Sequence, residues 1–440
     1  MLFASLQPEQ VLTRFLGARE RTRELFDLLA PEAFDRQPIP LRHPIRFYEG
    51  HLAAFNANVL YDSGYLRAQP VPSFSGLFAR GIDPDNPAEA ASLQIQQWPD
   101  RQLVKSYVAG VDDIMVEAIR RGGLYERLLT CIEHEEMHQE TLVYLIHQLP
   151  HELKHPPASA APDLRAPADT KQLLPIPGGP VRLGAVPHEV PFGWDNEFPA
   201  VTVNVADFRM ESHKVTNEDF LAFVEAGGYT QDQWWEPAHR ELLREANITA
   251  PAFWFLHEGE WYYRGLFDSF PLPPRWPVYV SYAEALAYAR WKGMRLPTEA
   301  EFQRAAYPDG QALPDGQADA VLDHTGANVD FRAWNCRPIG REGEPRNTYG
   351  LAEMVGNGWE WTATPFAGFP GFAPRPHYPG YSADFFDDRH FVVKGGSPVT
   401  AAALTRPGFR NWYRDHYRYA YTSFRCVTDG GRDAGGAVRI

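Results

Sequence analysis

Two histidines one helical turn apart, His134 and His138, lie in the stretch LLTCIEHEEMHQETLVYLIHQ, residues 128–148. Neither Gly nor Pro interrupts it, and apolar residues recur at helical spacing, so a helix is expected. Cys131, His134, His138, Thr141 and Leu145 share one face of that helix. The face is expected to look inward, with Glu135, Glu136, Gln139 and Glu140 covering the exposed side. Two imidazoles on a core-facing stripe can converge on one divalent metal. The same spacing suits a hydrogen-bonded core pair, and the helix alone does not choose between them. His134-Glu135-Glu136-Met137-His138 also satisfies H-E-x-x-H, in which the intervening Glu135 would be the general base of a zinc hydrolase. A second segment, HPIRFYEGHL at 43–52, supplies a further imidazole. Phe47, His51 and Phe55 fall on the buried face of an expected helix, so His51 from a neighbouring helix can complete a three-histidine site.

These residues need rigid elements to hold them. Helices are expected over residues 8–29, 44–60, 101–121 and 124–149, which suggests an up-down bundle whose core is a usual place for metal ligands. The connection between the second and third helices, residues 71–100, is too long for a simple turn, and ordered excursions of that length are often functional. Residues 154–170, rich in Pro, Ala and Asp, read as a linker. Beyond them Gly, Pro and Trp become frequent, strands are short, and helices are expected only around 217–226 and 281–292. The expected organisation is an all-α four-helix bundle over 1–153, the linker over 154–170, and a loop-rich α+β domain over 171–432.

A length of 440 residues suits two domains, and 44% hydrophobic content suits a packed globular protein. The net charge of −14 argues against a nucleic-acid partner. Cys131, Cys336 and Cys426 are too few and too scattered for a disulfide framework and suit a reducing compartment. Cys131 and Cys426 read as core residues. The N-terminus lacks the basic and apolar regions of a signal peptide, and no apolar run approaches the roughly 20 residues of a membrane span. A soluble cytoplasmic protein acting on small molecules, without membrane partners, is expected.

The second half carries a recognisable series: Ile176-Pro177-Gly178-Gly179, Asn196-Glu197-Phe198-Pro199, Lys214-Val215-Thr216-Asn217, Arg295-Leu296-Pro297-Thr298-Glu299-Ala300-Glu301, Gly356-Asn357-Gly358-Trp359-Glu360-Trp361-Thr362, Lys394-Gly395-Gly396-Ser397 and Phe424-Arg425-Cys426. Over residues 173–430 it resembles the formylglycine-generating-enzyme (sulfatase-modifying-factor) fold, which does not by itself set the chemistry. The first half resembles a DinB-like bundle. Together they resemble the iron-dependent sulfoxide synthases of ergothioneine biosynthesis, an arrangement shared by selenoneine synthases. The resemblance implies that His51, His134 and His138 bind Fe(II), with O₂ as co-substrate, and that hercynine and a sulfur or selenium donor react there. It further implies that Asn411 and Trp412, in Arg410-Asn411-Trp412-Tyr413, hold the trimethylammonium group of hercynine. Departures accompany it. One subgroup has Gln where this chain has Met137, and Asp where it has Tyr413. A Tyr proton donor supplied by the loop after the second helix in one subgroup has no counterpart in AEAASLQIQQ at 88–97.

Three neutral imidazoles leave about three positions on an octahedral ion, and without the usual carboxylate the site stays more positive, favouring a thiolate or selenolate. A catalytic zinc site also has three protein ligands, so ligand count does not separate the readings. Aromatic faces suit the quaternary ammonium. Arg80, Arg410 and Arg414 are candidates for substrate carboxylates, and Tyr413 and Tyr417 for the proton donor. Trp359 and Trp361 are expected to pack structurally. The missing loop Tyr and the room it vacates favour a selenium donor such as a selenosugar. A cysteine- or glutamylcysteine-using sulfoxide synthase is the alternative, and a zinc hydrolase or a non-catalytic bundle is more remote.

Overall fold

The computed structural model describes residues 7–79, 97–308 and 326–430. Helix α1 (Pro8–Asp27) starts on a proline, and α2 (Ile45–Asp62) directly follows one. After the short α3 (Pro72–Leu77) comes α4 (Arg101–Arg121), and then α5 (Tyr125–Gln148). Helix α4 begins where the Asp100 carboxylate accepts the N–H groups of Gln102 and Leu103, and it ends at Gly122, whose φ of 71° favours glycine. The long helices follow the sequence expectation to within three residues at each end.

The expected exposed side of α5 does not exist. Glu133, Glu135, Glu136, Gln139 and Glu140 are all buried, because α1 packs on one flank of the helix and the second half of the chain on the other. The helix is therefore buried almost all round, and its polar residues are held by partners rather than by water. Gly50, next to His51, is a second constraint. A Cβ there would lie 2.6 Å from the Phe78 ring, so only glycine lets Phe78 close over α2.

Residues 154–170 contain one short 3₁₀ turn and lie against the second half, where the Trp276 indole donates to the Asp163 carbonyl at 2.7 Å. That half holds four small sheets. Strands β1 (Leu173–Ile176), β4 (Phe208–Glu211) and β12 (Val427–Asp429) form one, and β2 (Gly179–Leu183) pairs with β3 (Val201–Val205). Strands β5 (Trp254–His257), β6 (Glu260–Arg264) and β7 (Ser269–Pro271) form a third. The fourth runs β10–β9–β8–β11, from β8 (Trp359–Pro365), β9 (His390–Lys394), β10 (Asn411–Arg414) and β11 (Thr422–Ser423). Helices α6 (Asn217–Glu225) and α8 (Tyr282–Trp291) match the sequence expectation. Helices α7 (Pro237–Glu245) and α9 (Glu299–Ala306) were not anticipated. Two of the recognised motifs turn out to be helix starts: Thr216 caps α6 with Asp219, and Thr298 caps α9 with Glu301. A large cluster of buried apolar side chains runs continuously from the bundle into this half.

Three further motif residues form a buried ionic knot. Glu360, fully buried, accepts from Arg425 at 2.6 and 2.8 Å and pairs with Lys214 at 3.2 Å. Replacing Glu360 by Gln would leave two buried cations without a counter-charge. The expected loss is about 3–5 kcal/mol, read as a lower midpoint in urea denaturation with the variant's slope compared to wild type.

Candidate metal centre

His51 projects from α2, and His134 and His138 from α5, so that one ligand nitrogen from each lies within 4.8 Å of the others. The Nδ1–H of His51 donates to the Phe78 carbonyl at 2.7 Å, which leaves Nε2 as the free lone pair, 3.3 Å from Nε2 of His138. The Phe55 ring stacks on His134 at 3.5 Å with 6° between planes, and Phe47 stacks on His51 at 4.9 Å. Rings fixed in this way lose little entropy when they ligate.

The electrostatics suit a cation. Burial pushes His51 down to about 4 and His134 and His138 well below their usual value, with repulsion from the other imidazoles of the triad adding to the effect at His134 and His138. All three are therefore neutral donors at pH 7. The buried Nδ1 atoms of His134 and His138 have no hydrogen-bond partner among the described residues, and orphaned buried nitrogens are rare in folded proteins. Nitrogens bound at about 2.1 Å in a right-angled arrangement lie about 3 Å apart, so modest movement would bring this triad onto one ion. The donor set fits a divalent transition metal.

The cluster opens on a cavity of about 940 Å³ between the two halves. Asn411, Trp412, Tyr413 and Arg414 all line it, although alternate strand residues point to opposite faces. They can do so because β10 is the edge strand of its sheet. Trp412 stacks on Phe366 at 4.1 Å, with Tyr381 at 5.3 Å and Phe385 at 5.4 Å. The Asn411 amide donates to the Tyr413 hydroxyl at 3.3 Å. Burial, and then the Glu140 carboxylate, push the Tyr413 phenol well up.

The remaining residues singled out in the sequence divide. Tyr417 lines the cavity and stacks on Tyr413 at 5.5 Å, and neither makes a ring contact with the triad. Arg410 does not reach the cavity: its guanidinium is held by both Glu299 oxygens, at 2.8 and 3.0 Å, and by the carbonyls of Asn196 and Ala367. Arg80 and most of the loop at 88–97 lie outside the described residues. Glu135 does not line the cavity and is bound to Arg19 at 2.7 Å and Thr22 at 2.6 Å, so it does not face the triad as the base of a zinc hydrolase would. Trp361 is structural, donating to the Val280 carbonyl, whereas Trp359 lines the cavity and donates to Glu140 at 2.8 Å. All three cysteines are buried thiols.

Sequence reasoning missed Tyr378 and Tyr381. The Tyr378 ring lies 5.3 Å from Phe55 and 6.4 Å from His134, and the Tyr381 hydroxyl donates to the Met137 sulfur at 3.3 Å. Both sit in irregular chain between β8 and β9, where no periodicity marks an inward face. Among the described residues Tyr48 is the other phenol in ring contact with the triad, 5.8 Å from His138 and 6.4 Å from His51, and burial pushes its phenol up.

Comparison with known proteins places the chain in a family. The family model of the DinB superfamily matches residues 14–142, and that of the sulfatase-modifying factor enzyme 1-like domain matches 159–430. A hercynine oxygenase of Mycolicibacterium smegmatis is 33% identical, over 94% of this chain and 97% of its own. That of Mycolicibacterium thermoresistibile is 31% identical over 96% and 95%. The chain belongs to the ergothioneine synthase family. Ergothioneine biosynthesis protein 1 of Neurospora crassa is similar too, at 29% over 91% of this chain and 56% of its own. In this synthase-family chain the two matched segments meet along α5, which carries two of the three histidines on one side and contacts to β8 on the other.

If the triad is the metal site, His51→Ala should keep the wild-type circular dichroism. It should weaken Fe(II) binding by more than the roughly 10–100-fold typical of losing an outer partner. Metal analysis after anaerobic loading checks this, and normal iron content would remove His51 from the site.

Proposed function

We propose that this chain catalyses an Fe(II)- and O₂-dependent joining of a sulfur or selenium donor to the imidazole of hercynine, with His51, His134 and His138 holding the iron. The observation that carries the proposal is a carboxylate-free triad of neutral imidazoles opening on an aromatic-walled cavity. The relatives named hercynine oxygenase support it. Iron bound there would supply O₂ activation and a soft site for the chalcogen. The reaction balances when the imidazole C–H and the donor S–H or Se–H are lost. A carbon–chalcogen bond forms, one oxygen atom enters as a sulfoxide or selenoxide, and the other leaves as water with both hydrogens.

The chain's own groups divide the remaining work. Trp412, Tyr381 and Phe385 offer aromatic surface to the trimethylammonium group, which cannot donate a hydrogen bond. The two halves close over α5 and hold both substrates beside the triad, so bond formation becomes largely a matter of proximity. Tyr378, rather than Tyr413 or Tyr417, is the phenol we assign as proton donor, because among the described residues of the second half its ring is the phenol in contact with the triad. Trp412→Ala should weaken hercynine binding by about 1–2 kcal/mol while iron content stays normal. Titration calorimetry reads the difference, and unchanged affinity would make the strand a purely structural element.

For the donor, selenium is favoured, in a molecule of selenosugar size. Asp384, Asp387, Arg389 and His390 give the cavity a polar wall suited to a hydroxyl-rich donor, and the volume exceeds what hercynine alone requires. Cysteine or glutamylcysteine is the second reading, supported by the ergothioneine biosynthesis relatives. Competition between a selenosugar and cysteine for hercynine, expressed as kcat/KM and read by mass spectrometry, should favour the selenosugar. A clear preference for cysteine would overturn selenium and leave the iron and hercynine assignments in place.

A further inference from the structure

Tyr378 meets the triad from a stretch of chain that has no regular structure. Residues 375–382, RPHYPGYS, lie outside every helix and strand. Pro376 and Pro379 are exposed and have no N–H to donate, while Arg375, Tyr381 and Ser382 are buried. A phenol carried on such a stretch has a defined position only when the two ends of the stretch are held.

One short segment, Gly193–Asn196, holds both ends. The Asp195 carboxylate spans them: Oδ2 accepts the backbone N–H of Arg375 at 3.3 Å, and Oδ1 accepts the Ser382 hydroxyl. The Asn196 amide donates to the Ser382 oxygen at 3.0 Å, and the Gly193 carbonyl accepts from the Arg375 guanidinium. Between these ends the Trp194 ring stacks on Tyr381 at 3.9 Å and lies 6.4 Å from Tyr378. The assembly is tied to the helix that carries the metal ligands. On α5, Glu133 accepts the Trp194 indole N–H at 2.9 Å, and Glu126 accepts from Arg375 at 3.1 Å. Asp195 is 4% exposed, and neither it nor Trp194 lines the cavity. Any part they take in the chemistry runs through the residues they hold.

The position of a proton donor matters here because two outcomes compete for O₂. Coupling sends one oxygen atom out as water, so protons are required at the triad. Simple oxidation of the donor puts both oxygen atoms on the chalcogen, converting S–H or Se–H into a sulfinic or seleninic acid, and leaves the imidazole untouched. That outcome needs no proton from the protein. A general acid works only within hydrogen-bond reach, so a displaced phenol favours donor oxidation.

We infer that Asp195 is a positioning residue: with Trp194 and Asn196 it closes residues 375–382 into a loop of fixed shape, holds the Tyr378 phenol at the triad, and so sets how O₂ divides between coupling and donor oxidation. This role presupposes Tyr378 as the proton donor of the proposed reaction.

Two readouts on the iron-loaded protein test it. The first is hydrogen exchange at the amides of Tyr378 and Tyr381, which donate to the carbonyls of Arg375 and Tyr378. The second is the ratio of coupled product to oxidised donor, read by mass spectrometry with hercynine and, separately, a selenosugar or cysteine. Asp195→Ala should speed exchange at both amides at least about tenfold while α5 stays within about threefold and iron content is unchanged. It should lower the product ratio at least about tenfold. Tyr378→Phe should lower the ratio at least as far, with exchange at Tyr381 within about threefold of wild type. Ser382→Ala releases one end only and should move both readouts in the direction of Asp195→Ala; it serves if that variant does not fold. A lowered ratio in Tyr378→Phe with either readout at its wild-type value in Asp195→Ala would overturn the inference alone. So would faster exchange spread through α5 with loss of iron, which would make Asp195 a general strut. An unchanged ratio in Tyr378→Phe overturns the proton-donor assignment and the inference with it. Wild-type protein that couples neither donor overturns the proposed function as well.

Discussion

Everything in this molecule is arranged around the cost of burying acids on α5. A carboxylate taken out of water must be met by donors or cations at hydrogen-bond distance, and α5 carries four of them within two turns. Arg14 and Arg19 come from α1. Arg406, the Trp194 indole, Ser397, Thr400 and Trp359 come from the second half of the chain. The four acids are all met only when α1 and the second half of the chain are both docked on the helix. The same docking sets His134 and His138 on one cavity with β10, so the relative placement of the triad and that wall follows from the pairing of acids.

The division of labour on α5 follows from helix geometry. One face turns His134 and His138 towards His51 on α2, and burial keeps all three imidazoles neutral. The flanks carry the acids, each held by its own hydrogen-bond donors outside the triad. Phe47 and Phe55 fill the space behind the rings, while Gly50 admits Phe78, whose carbonyl sets the tautomer of His51. A site of this kind depends on a second layer of contacts as much as on the ligands.

Much of this was legible in the residues. His51, His134 and His138 could be found because residue type and helical spacing are local properties. The four long helices could be bounded because Pro8, Pro44, Asp100 and Gly122 are local stop and start signals. What covers a helix is not local. The sequence reading put Glu135, Glu136, Gln139 and Glu140 in water, since four polar residues beside an apolar stripe usually are; α1 covers the first three instead, and the second half of the chain covers Glu140. Arg410 stands next to Asn411 in sequence, yet its fork matches Glu299 and is spent there. Tyr378 and Tyr381 sit in chain without a repeat, so nothing in their spacing revealed that they close the cavity. Trp359 and Trp361 look alike in their motif and differ only in which partner reaches each indole.

The claim on which the account stands is that one iron ion is held by three imidazoles at the junction of the two halves. X-ray absorption of the anaerobically Fe(II)-loaded protein addresses it directly. The account predicts imidazole-type nitrogen scatterers from three histidines at about 2.0–2.3 Å, completed by light atoms of solvent, with a sulfur or selenium scatterer entering when donor is added. A spectrum fitted by a protein carboxylate in place of one imidazole, or one unchanged by donor in the presence of hercynine, would contradict it.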